Sequence, residues 1–149
     1  MFEIRFHGRG GQGTVLLAKM IADVVLRSGR GECMAIPEFG VERRGAPVLA
    51  YARVSDRPIY VRTRIYEPDA LDVLDTAFAN NSALTAGLKK GGAIVLNTEE
   101  TPAALAARFP GFATRAVPAK RIALAHKLGS ATSPVVNTAM CGAICAGFG

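Results

Sequence analysis

The residues best suited to chemistry in this chain form one short run, His7-Gly8-Arg9-Gly10-Gly11-Gln12-Gly13. Gly8, Gly10 and Gly13 give the spacing G-x-G-x-x-G. The run follows a strand-like segment (residues 2–6, with Phe2, Ile4 and Phe6 alternating against Glu3 and Arg5) and opens a helical one. Glycines in that context let the backbone approach a phosphate, and a helix N-terminus offers unpaired N–H groups with partial positive charge. Arg9 adds a cation. Gly8, Arg9, Gly10, Gly11, Gln12 and Gly13 are therefore the candidate cofactor-binding residues. A tight β–α turn needing glycine only for its dihedrals and helix packing has the same signature, and both readings stay open. NAD binding also wants an acidic residue at the end of the second strand, roughly twenty residues on. The nearest, Glu38, follows Pro37 in a loop, which argues against NAD.

A second charged feature lies between Gly40 and Gly45: Glu42, Arg43 and Arg44. An arginine pair suits bidentate contacts to carboxylates or phosphates. The expectation is charge projected toward a partner subunit or a phosphate; the alternative is a solvated turn. His7 reads as a strand-end residue rather than a general base. His126, among Lys120, Arg121 and Lys127, reads as surface. No catalytic triad assembles, so no catalytic residue is assigned.

Three cysteines, Cys33, Cys141 and Cys145, form no C-x-x-C pair, and two histidines cannot complete a zinc set. An iron–sulfur cluster normally needs four thiolates, so no metal is expected on this chain. Cys141 and Cys145, on one face of a terminal helix, read as packing residues. Reduced thiols fit a cytoplasmic protein. Met1 runs straight into a strand, so no signal peptide is expected.

The elements that must position these residues alternate between helix-like and strand-like. Residues 12–27 form an apolar helix whose wide band wants a sheet on one side and a second surface on another. A second strand is expected at 33–36, a loop at 37–47, and a hairpin of strands 48–54 and 59–64. Short strands follow at 70–74, 93–96 and 112–117, with helices at 80–88, after Thr101-Pro102, at 119–128 and at 134–148. The expected fold is α/β: a three-layer α/β/α Rossmann-like domain with a mixed, mostly parallel sheet and a β-hairpin insertion. No linker or repeat divides residues 1–149, so they are read as one domain.

Of 149 residues, half are hydrophobic and a fifth charged, a globular composition. The net charge of +6 is concentrated partly in the arginines from Arg43 to Arg64. A basic surface suits phosphate-bearing cofactors or acidic partners. With no Trp, seven Phe and three Tyr, the stacking aromatics of an RNA binder are missing. No charged residue occurs from Leu128 to Gly149, but Pro134, Asn137, Thr138 and several glycines make this no membrane span. Such a helix wants cover, within the domain or from a partner.

His7-Gly-Arg-Gly-Gly-Gln-Gly13 together with Phe39-Gly-Val-Glu-Arg-Arg-Gly-Ala-Pro47 resembles the gamma subunit, or gamma domain, of pyruvate/2-ketoisovalerate:ferredoxin oxidoreductases, in the 2-oxoacid:acceptor oxidoreductase family. Ile65-Tyr-Glu-Pro-Asp69, Gly91-Gly-Ala-Ile-Val-Leu-Asn-Thr98 and Asn137-Thr138 support the likeness, which runs over essentially the whole chain. It implies a complex that oxidatively decarboxylates pyruvate or a branched-chain 2-oxoacid to acyl-coenzyme A and passes electrons to ferredoxin or flavodoxin. It assigns thiamine diphosphate and iron–sulfur clusters to companion alpha, beta and delta subunits. The gamma unit would be a scaffold near the active site that helps accommodate coenzyme A and is inactive alone. Glu42, Arg43, Arg44, Asn137 and Thr138 are the expected partner-interface residues. Family members usually continue for about thirty residues beyond the Asn-Thr helix. The alternative function is a free-standing nucleotide- or coenzyme-binding module.

Overall fold

A computed structural model describes residues 1–38 and 44–148. Its centre is a six-stranded sheet: β1 (Phe2–Arg9), β2 (Glu32–Pro37), β3 (Pro47–Ser55), β4 (Ala70–Val73), β5 (Ala93–Asn97) and β6 (Ala113–Val117), in the order β2-β3-β1-β4-β5-β6. β4 pairs parallel with β1, β5 with β4 and β6 with β5. β3 runs antiparallel to both β1 and β2, so five strands share one direction and β3 alone opposes them. The sheet is mixed and mostly parallel, as the alternating elements predict.

Helices cover both faces. On the first lie α1 (Thr14–Ser28), α3 (Ala119–Ala125) and α4 (Asn137–Phe148), over a core of Ile4, Phe6, Leu17, Ile21, Ala50, Ala52, Val95, Met140 and Ile144. On the second lie α2 (Pro102–Arg108) and a 3₁₀ turn (Thr76–Asn80), over Leu71, Val73, Ile94, Leu96, Leu105 and Phe109. The alternation along β1 sorts the faces: Ile4 and Phe6 enter the first core, while Glu3, Arg5 and His7 take the other side. Half of the apolar band on α1 stays open, with Leu16 at 55% and Leu26 at 52% exposure. α4, uncharged all round, is covered by α1, α3 and the sheet.

Two expected elements differ. Residues 59–64 do not pair as a strand; β3 forms its hairpin with β2. The buried Arg53 guanidinium takes the carbonyls of Val61 (3.0 Å), Thr63 (2.8 Å) and Arg64 (3.3 Å), so a side chain replaces the ladder. Residues 80–88 are not an α-helix. After the 3₁₀ turn, i→i+3 bonds such as Leu84 N–H to Asn81 and Leu88 N–H to Thr85 make a chain of tight turns. β1 also runs three residues past its expected end, and a two-residue hairpin, β7 (Gly129–Ser130) with β8 (Ser133–Pro134), precedes α4.

One ionisable side chain sits in the first core. Asp72 lies between Phe6 and Val95 on the ladders, is 0% exposed, and neither carboxylate oxygen has a hydrogen-bond partner. Burial pushes its carboxyl well above the usual range, and the nearby Cys141 thiol, raised to about 12 by burial and by Cys145, supplies no compensating charge. The folded chain thus keeps a proton that the unfolded chain releases at about pH 4. Folding stability therefore falls as pH rises above that value, by up to about 1.4 kcal/mol per pH unit, until the folded carboxyl ionises. Asp72→Asn removes the titration. Urea melts between roughly pH 5 and 8 should show the parent losing stability relative to the variant as pH rises; parallel pH profiles would mean that Asp72 is already ionised in the fold.

Candidate functional site

The glycine turn leaves β1 at Arg9 and enters α1 at Thr14. Its backbone is zipped to the segment preceding β3: Gly10 N–H donates to Ala46 (2.8 Å) and Gly45 N–H donates to Gly10 (3.1 Å). Gln12 folds back, its N–H to the Arg9 carbonyl (3.0 Å) and its Oε1 accepting the Arg9 N–H (2.8 Å). Asp75, just beyond β4, closes the structure. Its Oδ2 accepts from Arg9 Nε (3.1 Å) and Gln12 Nε2 (2.9 Å), while Oδ1 caps the 3₁₀ turn through Ala77 N–H (2.9 Å). Arg9 also donates to the Gly45 carbonyl (3.0 Å) and lies 5.1 Å over the Phe78 ring. The Gln12 side chain is thus spent inside the fold, and Arg9 is oriented but still partly exposed, its side chain at 37%.

Gly13 caps α1 with φ 78°, and neither a side-chain cap nor an acidic residue serves the first helical turn. A Cβ on Gly13 would come within 2.4 Å of Asn137 Nδ2, so the starts of α1 and α4 meet there. Asn137 is 2% exposed with Oδ1 unpartnered; Thr138 beside it is exposed. Gly8 is packed tightly against the Thr14 hydroxyl. Arg44 is exposed, at the edge of the same region. Glu42 and Arg43 lie outside the described residues.

In front of the turn is a cleft of about 680 Å³ at the C-terminal ends of the parallel strands. Arg9, Gly10, Gly11 and Gln12 form one wall, Asp75 and Thr76 follow β4, and Asn97, Thr98 and Glu99 follow β5. Lys120 at the start of α3 and Thr132 and Ser133 of the β7–β8 hairpin close it. Arg9, Arg44 and Lys120 bring three cations to one mouth, among residues able to donate to phosphate oxygens. Sequence reasoning missed Asp75, Thr98, Lys120 and Ser133. Their shared signal is position, immediately past a buried parallel strand or in the loops beside it, where open α/β sheets place their sites.

His7 faces the opposite side. It accepts from Arg5 Nε (3.0 Å) and stays neutral, lowered to about 4 by burial and by the Arg5 charge. A group so held is no general base at neutral pH, in keeping with its reading as a strand-end residue. Glu38 accepts from Tyr51 OH (2.5 Å) and pairs with Arg64; the Tyr51 hydroxyl is pushed up to about 12 by burial and by that bond. β3 stands between β1 and β2, so the end of β2 is not beside the glycine turn, unlike the dinucleotide arrangement. Among the described residues no three His, Cys, Asp or Glu side chains gather as a metal site, and no helix is long and apolar enough to cross a membrane.

A mixed, mostly parallel α/β sheet with a cleft at its glycine turn defines a Rossmann-like class of fold, and comparison with known proteins narrows it. Residues 3–149 match the family of pyruvate ferredoxin/flavodoxin oxidoreductases, and the chain belongs to that family. It is 42% identical over 151 residues to the pyruvate/ketoisovalerate oxidoreductases common subunit gamma of Thermococcus kodakarensis, covering 97% of this chain and 76% of that protein. It is 47% identical over 143 residues to pyruvate synthase subunit PorC of Methanocaldococcus jannaschii, covering 96% and 75%. The crystal structure of the pyruvate oxidoreductase subunit PORC of Thermotoga maritima superposes with a TM-score of 0.77 at 32% identity, over 96% of this chain and 74% of that one.

The two positive-φ glycines of the turn separate geometry from contact. At Gly11 (φ 95°) a Cβ meets nothing within 4 Å, so Gly11→Ala should cost only the left-handed strain, about 1–2 kcal/mol. At Gly13 the same strain adds to the collision with Asn137. Denaturant unfolding should rank Gly13→Ala clearly below Gly11→Ala; equal stabilities would show that α1 and α4 do not meet at this point.

Proposed function

We propose that this chain is the gamma subunit of a 2-oxoacid:ferredoxin oxidoreductase, inactive alone, that converts pyruvate or a branched-chain 2-oxoacid to its acyl-coenzyme A ester. Family membership over residues 3–149 and relatives named as gamma or PorC subunits support the assignment. The oxidation itself belongs to thiamine diphosphate and iron–sulfur clusters, held by alpha, beta and delta partners. Cys33, Cys141 and Cys145 are three thiols where a cluster normally takes four, and among the described residues no three His, Cys, Asp or Glu side chains gather. The cytoplasm is the proposed compartment.

The observation that carries the chain's own role is the convergence of Arg9, Arg44 and Lys120 on the cleft before the glycine turn. The first turn of α1, which carries no acidic side chain, opens beside that cleft on a neighbouring hollow lined by Gly13, Thr14 and Val15. This arrangement suits the phosphates of coenzyme A. Gly8, Arg9, Gly10, Gly11, Gln12 and Gly13 would form the wall against which it lies, Gln12 acting through its tie to Asp75. In this reading the chain binds and orients the coenzyme.

In the assembled enzyme, Arg44→Ala with Lys120→Ala should raise the apparent KM for coenzyme A by about tenfold or more, the scale of one lost charge-assisted bond. The KM for the 2-oxoacid should stay within about twofold, because that substrate carries no phosphate. An unchanged coenzyme A KM in a fully assembled variant would remove the cleft from the reaction.

A further inference from the structure

Half of the second sheet face has no helix over it. There β1 and β3 present Glu3, Arg5, His7, Tyr51 and Arg53, and β2 presents Met34 and Ile36. Among the described residues, the helix packed on β2 and β3 is α1, on the other face. Arg5 meets the Leu84 and Ala86 carbonyls and His7 the Phe78 ring, while the strap from residue 56 to residue 67 covers the Arg53 end of this half. Arg53, 3% exposed, is its anchor: Nε donates to Glu3 (2.7 Å) and the terminal nitrogens take three strap carbonyls. Arg64 adds an ion pair to Glu38, Ile65 is buried, and Gly87 backs directly onto the Tyr66 carbonyl. The strap has no ladder of its own, yet its backbone carbonyls at Val61, Thr63 and Arg64 are all held by one guanidinium, and Gly87 closes on the carbonyl of Tyr66.

Its side chains tell the other half of the story. Tyr60 at 85% and Tyr66 at 72% are the most exposed large hydrophobic residues among those described, and Val61 is open beside them. Arg57 and Arg62 are exposed as well, Arg57 meeting only Asp56 at 3.9 Å. Tyrosine and arginine are the residues enriched in interface hot spots, and a backbone already immobilised loses little further entropy on binding. Solvent alone gives no reason to spend a buried arginine on holding two tyrosines in water.

We infer that the strap, centred on Tyr60, Val61, Arg62 and Tyr66, is a docking surface for another subunit of the oxidoreductase, one whose facing patch is apolar at its centre and carries carboxylates for Arg57 and Arg62. The inference rests on the subunit assignment, and a surplus of positive charge on this chain fits an acidic counterpart. It is separate from the cleft: none of these residues lines it.

The test uses the purified remaining subunits of the enzyme and this chain, parent or variant, with affinity read by calorimetry. Tyr60→Ser with Tyr66→Ser should raise Kd by at least about a hundredfold while leaving the melting temperature of the isolated chain unchanged. Arg62→Glu should weaken binding more at low salt than at high salt. If the parent binds the remaining subunits and both variants bind equally well, the strap is no interface, though the subunit assignment stands. If the parent does not bind them at all, both fall. If the variants instead break up a dimer of this chain with itself, the committed partner is wrong.

Discussion

Arg9 and Gln12 reach Asp75 from a strand that is more than sixty residues away in sequence, and the carboxylate they share holds the glycine turn to the rest of the sheet. The parallel register Ile4↔Ala70 to His7↔Val73 makes this meeting unavoidable, since it brings the ends of β1 and β4 level. Bonds of this charged kind contribute about 1.5–3 kcal/mol each, enough to decide the shape of a glycine-rich loop that has little preference of its own. The third bond, from Oδ1 to Ala77, fixes the carboxylate itself. Position and width of the cleft follow from that tie: the wall at Arg9–Gln12 stands where Asp75 puts it, and the loop after β5 faces it across one strand.

Much of this was legible along the chain. Phe2, Ile4 and Phe6 against Glu3 and Arg5 declare a strand with two different faces, and the apolar runs at 70–74 and 93–96 read as short buried strands. Thr101 before Pro102 marked a helix start that the structure reproduces down to the Thr101 hydroxyl accepting from Ala104 N–H. The glycine turn was readable because its backbone demands are written in residue type. Failures came where a side chain from elsewhere overrode local pattern. Residues 59–64 look like a strand until Arg53 is seen to take their carbonyls, and no local rule anticipates a partner eight to eleven residues upstream.

For the site, the glycines, Arg9 and Gln12 announced themselves, but their supports did not. Asp75 is one of many acids at a strand end, and only the β1–β4 register singles it out. Lys120 and Ser133 arrive from α3 and the β7–β8 hairpin, and nothing in their neighbours' spacing points to a shared cleft. Asn137 was noticed through a pattern; its contact with Gly13 gives that pattern a cause, since a bulkier residue in the turn would lift α4 off α1.

The strand order carries a consequence for how the molecule comes into being. β1 precedes the other five strands of the sheet and lies inside it, with β3 on one flank and β4 on the other. Until residue 73 has been synthesised it cannot be enclosed on both edges, and α1, which follows it at once, has only part of its sheet to rest on. The antiparallel β2–β3 hairpin closes over the shortest span of any strand pair in the six-stranded sheet. Parallel addition of β4, β5 and β6 then proceeds outward in sequence order, each needing a longer loop closure than the hairpin. α4 closes the first core only after all six strands, so Ile4, Phe6 and Leu17 lack their full cover until residues 137–148 have emerged.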